Sequence, residues 1–222
     1  MQKFTTAAPI TAVLDIPAGR IQVIAADKAD TTVDIKPADA SKSRDVKAAE
    51  RTTVAYADGV LRIETVVKNE YFGASGSLDV TVQVPAGSRI EAKSQAAEFR
   101  TVGRLGDVTF DGAHGTAQID ETASLRLTVH AGDVSVGRLA GDSEISVAAG
   151  DITIAEALRG TLTLRTESGK ISVGAAQGAS ATLDAGTSYG RIHNALNNTE
   201  GAAAALNIRA TTSYGDITAR SL

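Results

Sequence analysis

The sequence contains no cysteine and no tryptophan, and only one methionine and 4 prolines. Without cysteine the chain cannot form disulfides, thiolate metal sites or a cysteine nucleophile, and its redox compartment is left open. Aromatic residues make up 4% of the 222 residues, too few for a bulky globular core. Val, Ile, Leu and Ala supply the hydrophobicity instead, which suits narrow, regular layers. Nowhere is there a run of about 18 apolar residues that could span a bilayer. Residues 1–9 lack an apolar signal core, so the expected location is cytoplasmic if this start is native, and the cell surface or another exported site otherwise. The net charge is −4 with acidic and basic residues interspersed, so no basic footprint for nucleic acid is present. Phosphate loops, nucleophile elbows and dinucleotide fingerprints are also missing, because the glycines precede strands and not helices.

What the chain has in quantity is glycine, 21 residues of it, and one recurring phrase. Glycine, a polar residue, an aliphatic, a hydroxyl and an aliphatic occur in order as Gly132-Asp133-Val134-Ser135-Val136, Gly150-Asp151-Ile152-Thr153-Ile154 and Gly169-Lys170-Ile171-Ser172-Val173. Looser copies begin at Gly115, Gly190 and Gly215, so successive spacings are 17, 18, 19, 21 and 25 residues. A strand-periodic repeat of about 20 residues is the mark of a solenoid, in which each coil is too thin to bury its own apolar face and must stack on neighbours. The expected fold is all-β: a β-solenoid of stacked two-strand coils over residues 85–222, preceded by a β-rich capping module over residues 1–84, in one continuous architecture.

Alternation assigns the side chains. After each turn Ala117 and Ile119, Val134 and Val136, Ile152 and Ile154, Ile171 and Val173, Ile192, then Ile217 and Ala219 point inward. Leu125, Leu127, Val129, Ile145, Val147, Leu162, Leu164, Leu183, Leu206 and Ile208 do so on the returning strands. Gln118, Ser135, Thr153, Ser172, His193 and Thr218 form an outward polar stripe, beside which Asp151 can face Lys170 and Arg191 can face Asp216. In the first module the period of two predicts strands at 12–16, 21–24, 31–35, 54–56, 60–65 and 78–84, with a solvated loop or short helix over 38–51. Asp58-Gly59 predicts a tight hairpin.

Candidate sites are few. Asp133 and Asp151 are the one adjacent pair of stacked carboxylates, and the post-glycine position favours a local hydrogen-bonding role over a catalytic one. His114, His130 and His193 have no partner at metal-ligand spacing, so no metal or cofactor is expected. Tyr71 and Phe72 sit in a glycine-rich loop tip, where aromatics serve a partner or fold back over the sheet end. The turns Thr187-Ser188-Tyr189-Gly190 and Thr212-Ser213-Tyr214-Gly215 are nearly identical, which predicts that Tyr189 stacks on Tyr214, as a shield or as a platform for a glycan or protein. The strand carrying Ile217 and Ala219 comes last, with no polar cap after it, so an open edge and end-to-end self-association are expected there. The expected role is a non-enzymatic scaffold or interaction module whose partner is itself or another protein. A glycan-binding adhesin is the alternative, and a polysaccharide-active β-helix enzyme a remoter one.

The Leu14-Asp15-Ile16-Pro17-Ala18-Gly19 strand, the Val82-Gln83-Val84-Pro85 lead into the repeats and the successive Gly-Asp-Ile or Gly-Lys-Ile units resemble the bacterial β-strand-repeat family called "putative adhesins", whose function is unknown. The resemblance implies a β-repeat fold and brings no catalytic residues.

Overall fold

Strands form wherever the period of two runs, in a computed structural model that describes residues 1–66 and 76–222. The chain divides into two units, Met1–Gly115 and Thr116–Leu222. The first contains β1 (Gln2–Thr5), β2 (Thr11–Asp15), β3 (Ala18–Ala26), β4 (Asp30–Pro37), α1 (Ser43–Glu50), β5 (Thr52–Ala57), β6 (Val60–Thr65), β7 (Leu78–Pro85), β8 (Arg89–Val102) and β9 (Arg104–His114). Here β2 and β3 already make one coil. They lie parallel to the two halves of β8, with Thr11 opposite Arg89 and Ala18 opposite Ala96, and β8 in turn stacks on β9.

On their other edges β2 and β3 pair in parallel with β6 and β7, and then the direction changes. Antiparallel β5, β4 and β1 end the rows. The outermost, β1, is 4 residues long and carries Lys3, paired with Asp30 at 2.9 Å; a short, charged edge is a poor template for another chain. The stretch expected as loop or helix contains α1, whose buried Asp45 accepts the Ser77 N–H at 2.9 Å. Phe99 stacks on Phe110 in the core with ring centroids 4.5 Å apart.

The second unit contains β10 (Ala117–Ala131), β11 (Val134–Leu139), β12 (Ser143–Ala149), β13 (Ile152–Ala157), β14 (Gly160–Ser168), β15 (Ile171–Ala175), β16 (Ala181–Tyr189), β17 (Ile192–Ala195), β18 (Leu206–Tyr214) and β19 (Ile217–Ser221). All pairing within it is parallel. One face runs from the start of β10 through β11, β13, β15 and β19 to β17. The other runs from the end of β10 through β12, β14 and β18 to β16. Val134, Val136, Ile152, Ile154, Ile171, Val173, Ile217 and Ala219 are each at most 2% exposed, as the alternation requires. Full burial of such a side chain contributes roughly 1.5–3 kcal/mol, so the aliphatic rows are the main source of stability.

Glycine is required at the turns because the coils approach there backbone to backbone. At Gly169, φ is 157° and an added Cβ would fall on the Gly150 carbonyl oxygen; at Gly215 it would fall on that of Gly169. A second device recurs three residues before the turn glycine. Thr166, Thr212 and Thr187 donate their hydroxyls to the carbonyls of Gly150, Gly169 and Gly215 at 3.0, 3.1 and 3.0 Å. Each buried or half-buried hydroxyl is thereby satisfied by the neighbouring coil.

Spatial order departs from chain order at this point, correcting the expectation that the last coil ends the stack. The β18–β19 coil lies between β14–β15 and β16–β17. Composition explains the exchange. In the inward rows β18–β19 supplies Leu206, Ile208, Ala210, Ile217 and Ala219, whereas β16–β17 supplies Ala181, Leu183, Ala185, Ile192 and Asn194, in register with them. Stacking in chain order would enclose the Asn194 amide between apolar rows, at a cost of about 1–3 kcal/mol if unpaired. At the end of the unit Asn194 is exposed and its Oδ1 accepts the Leu196 N–H at 3.0 Å.

Gly169→Ala is expected to lower stability by at least about 2 kcal/mol, through strained φ and the carbonyl contact. Thr212→Val should cost about 1 kcal/mol through the lost bond. Urea denaturation with fixed m-value measures both.

Candidate interaction surface at the end of the second unit

Among the described residues, β16 pairs only with β18 and β17 only with β19, so each has one edge without a neighbouring strand; at the start of that edge the Ala181 N–H of β16 is taken by the Asn197 carbonyl of the returning loop at 3.0 Å. Beside these edges stand the most exposed large apolar side chains of the unit's strands: Tyr189 at 67%, Tyr214 at 59% and Ile192 at 46%. The two Thr-Ser-Tyr-Gly turns are in register, and the tyrosine rings stack as expected, 5.0 Å apart and inclined by 3°. Because Tyr189 belongs to the end coil, the ring face it turns away from Tyr214 has no further coil above it.

Next to the rings Arg191 projects from the turn. Asp216 Oδ1 accepts its backbone N–H at 2.8 Å and Oδ2 meets the guanidinium at 3.5 Å. The Arg191 N–H, and further the guanidinium charge, hold the Asp216 carboxyl below its ordinary range. On the far side of the coil, Ser180 anchors the returning loop: it donates to Asn198 Oδ1 and accepts the N–H groups of Thr199 and Glu200, each at 3.1 Å. Nothing in the repeat pattern marked Ser180, since it lies outside the strands, and the threonine row was visible only as a hydroxyl three positions before glycine.

The other candidates separate. Ile217 and Ala219 are 1% and 0% exposed in a strand paired on both edges; the edge expected of them passes to β16–β17, because the coil they belong to is enclosed. Tyr71 and Phe72 lie outside the described residues. Asp133 Oδ1 accepts the Asp151 N–H at 2.9 Å, and Asp151 Oδ1 the Lys170 N–H at 2.7 Å. These carboxylates therefore fix register by bonding to backbone, and Asp151 faces Lys170 through its main chain. His114, His130 and His193 are exposed, and among the described residues no group of three His, Cys, Asp or Glu side chains could hold a metal. In the first unit a shallow groove of about 400 Å³ is lined in part by Arg20, Asp79, Glu98 and His114, with Arg20 paired to Glu98 at 3.2 Å.

Parallel two-strand coils closed by glycine turns define a β-solenoid-like protein. The chain belongs to the Toastrack DUF4097 family, whose model matches residues 10–220. It is similar in fold to the crystal structure of a "putative adhesin" from Bacteroides fragilis, with a TM-score of 0.59 and 12% identity over 98% of this chain and 95% of that one. A "putative adhesin" from Parabacteroides distasonis gives 0.52 and 16% over the same shares of the two chains. No curated protein matches the chain. Among the described residues no helix is long and apolar enough to cross a membrane.

Acid should loosen the turn of the end coil that Asp216 holds. Asp216 binds a proton less readily folded than unfolded, so its contribution is present above the unfolded carboxylate value, about 3.9, and is lost as pH falls through the lower folded value. Protection of β17 against hydrogen exchange, taken relative to the intrinsic rate at each pH, is expected to fall in acid before that of β13, and Asp216→Ala should lower it already at neutral pH.

Proposed function

We propose that the protein is a non-enzymatic interaction module that recognises a protein partner, a second copy of itself included, through the open β16–β17 coil. The observation that carries this reading is the pair of adjacent strand edges with no neighbouring strand, flanked by Tyr189 and Ile192. Exposed edges bind by strand addition, with main-chain bonds giving affinity and side-chain pockets giving selectivity. Aromatic anchors beside such an edge are the side chains that dominate protein interfaces. The adhesin names of the structural neighbours agree with a role in recognition at a surface, and this reading extends that role to the present chain.

A glycan is the second reading, favoured by the free face of the stacked tyrosines and by Arg191 beside them. Tyr189→Ala removes the platform in both cases, whereas Ile192→Lys blocks strand addition and leaves the rings intact. Sedimentation of the full chain is expected to show concentration-dependent association that Ile192→Lys abolishes while the β-sheet circular dichroism of the chain is retained. A chain that stays monomeric at high concentration and captures glycans on an array, lost on Tyr189→Ala, would replace the first reading by the second.

A further inference from the structure

The second unit is completed by a coil that arrives out of turn. After β15 the chain passes one coil position, builds β16–β17 beyond it, and returns through residues 196–205 to fill the space left between. That space is a slot with strands on both sides. On one face β19 is held between β15 and β17, with Ile217 opposite both Ile171 and Ile192. On the other, β18 is held between β14 and β16, with Ile208 opposite both Leu162 and Leu183. Bonds at the turn follow the same path, since Gly169 donates to the Tyr214 carbonyl and Gly215 to that of Tyr189, both at 2.9 Å.

We infer that this slot accepts β18–β19 in trans, so that two copies of the chain exchange their inserted coils. The strand pairings hold the coil against β14, β15, β16 and β17, and further bonds run to the turns that join them, at Gly169 and Arg191; none of these requires the returning loop to begin in the same molecule. The loop is the single covalent link on the coil's leading side. It contains Gly201 with φ of 59° and a short 3-10 turn, Gly201–Ala203, and it is held by the Ser180 bonds and by single bonds to Ala181, Gly160 and Ser221, all of which a neighbouring chain's loop can make equally well. Exchange of an identical element costs little, because native contacts are re-formed between copies. Apart from Thr212, the coil's inward side chains are apolar, so a vacant slot exposes two aliphatic rows at once and favours refilling by whichever copy is near. This inference does not rest on the proposed role of the open edge.

The absence of native cysteine makes the test direct. Ser172 and Thr218 are opposite one another on β15 and β19, and both point outward. Full-length chains carrying Ser172→Cys alone and Thr218→Cys alone are mixed, unfolded, refolded together at high concentration and oxidised. Exchange is expected to give the mixed disulfide dimer in clear excess over both homodimers. Chains carrying Ser135→Cys and Thr153→Cys, opposite one another on β11 and β13, which do not exchange, should give no such excess. Both cysteines of the first pair in one chain, folded dilute, should close within the monomer. Adding Ile192→Lys, which blocks association through the open edge, should leave the mixed dimer in place. A mixed dimer no more abundant than in the Ser135 and Thr153 pair, or failure of the single-chain pair to close, would overturn the inference.

Discussion

The close approach of one coil's backbone to the next is the constraint on which the second unit depends. Parallel strands sit about 4.8 Å apart, and at the turns no side chain fits between them. Glycine follows from that spacing, not from turn chemistry alone: the carbonyl oxygen of Gly150 occupies the place a Cβ of residue 169 would need. Once the turns are in contact, the aliphatic rows are in register, and the carboxylates of Asp133 and Asp151 bond the backbone of the following coil.

Under this constraint, polar groups that look functional in the sequence are used for register. An aspartate after a turn glycine resembles half of a catalytic pair, yet its acceptor is occupied by a main-chain N–H. The threonine hydroxyls are spent on glycine carbonyls in the same way. Where stacking stops, at the end coil, a strand edge, Tyr189 and Ile192 are exposed together.

Most of the fold was legible because period two and glycine spacing are local signals. Ile152 and Val173 could be placed inward from four residues of context, and the stacking of Tyr189 on Tyr214 from two matching turns. The order of coils was not legible, because adjacency in a solenoid is set by competition between coils and leaves no local mark. Asn194 held the clue: a polar residue in an inward position suits a coil that ends a row and not one enclosed in it. The short strand β1 escaped notice because its exposed residues show no alternation, and the candidate surface moved from Ile217 to Ile192 with the change of order.

The out-of-turn coil also bears on synthesis. A ribosome delivers β16–β17 before β18–β19, so a solenoid that could otherwise zip up coil by coil must pause with a position vacant, or let the earlier coil occupy it and later yield. Nascent second units thus cannot reach their final order until residues 206–221 have emerged, whereas a simple repeat protein completes each coil as it is delivered.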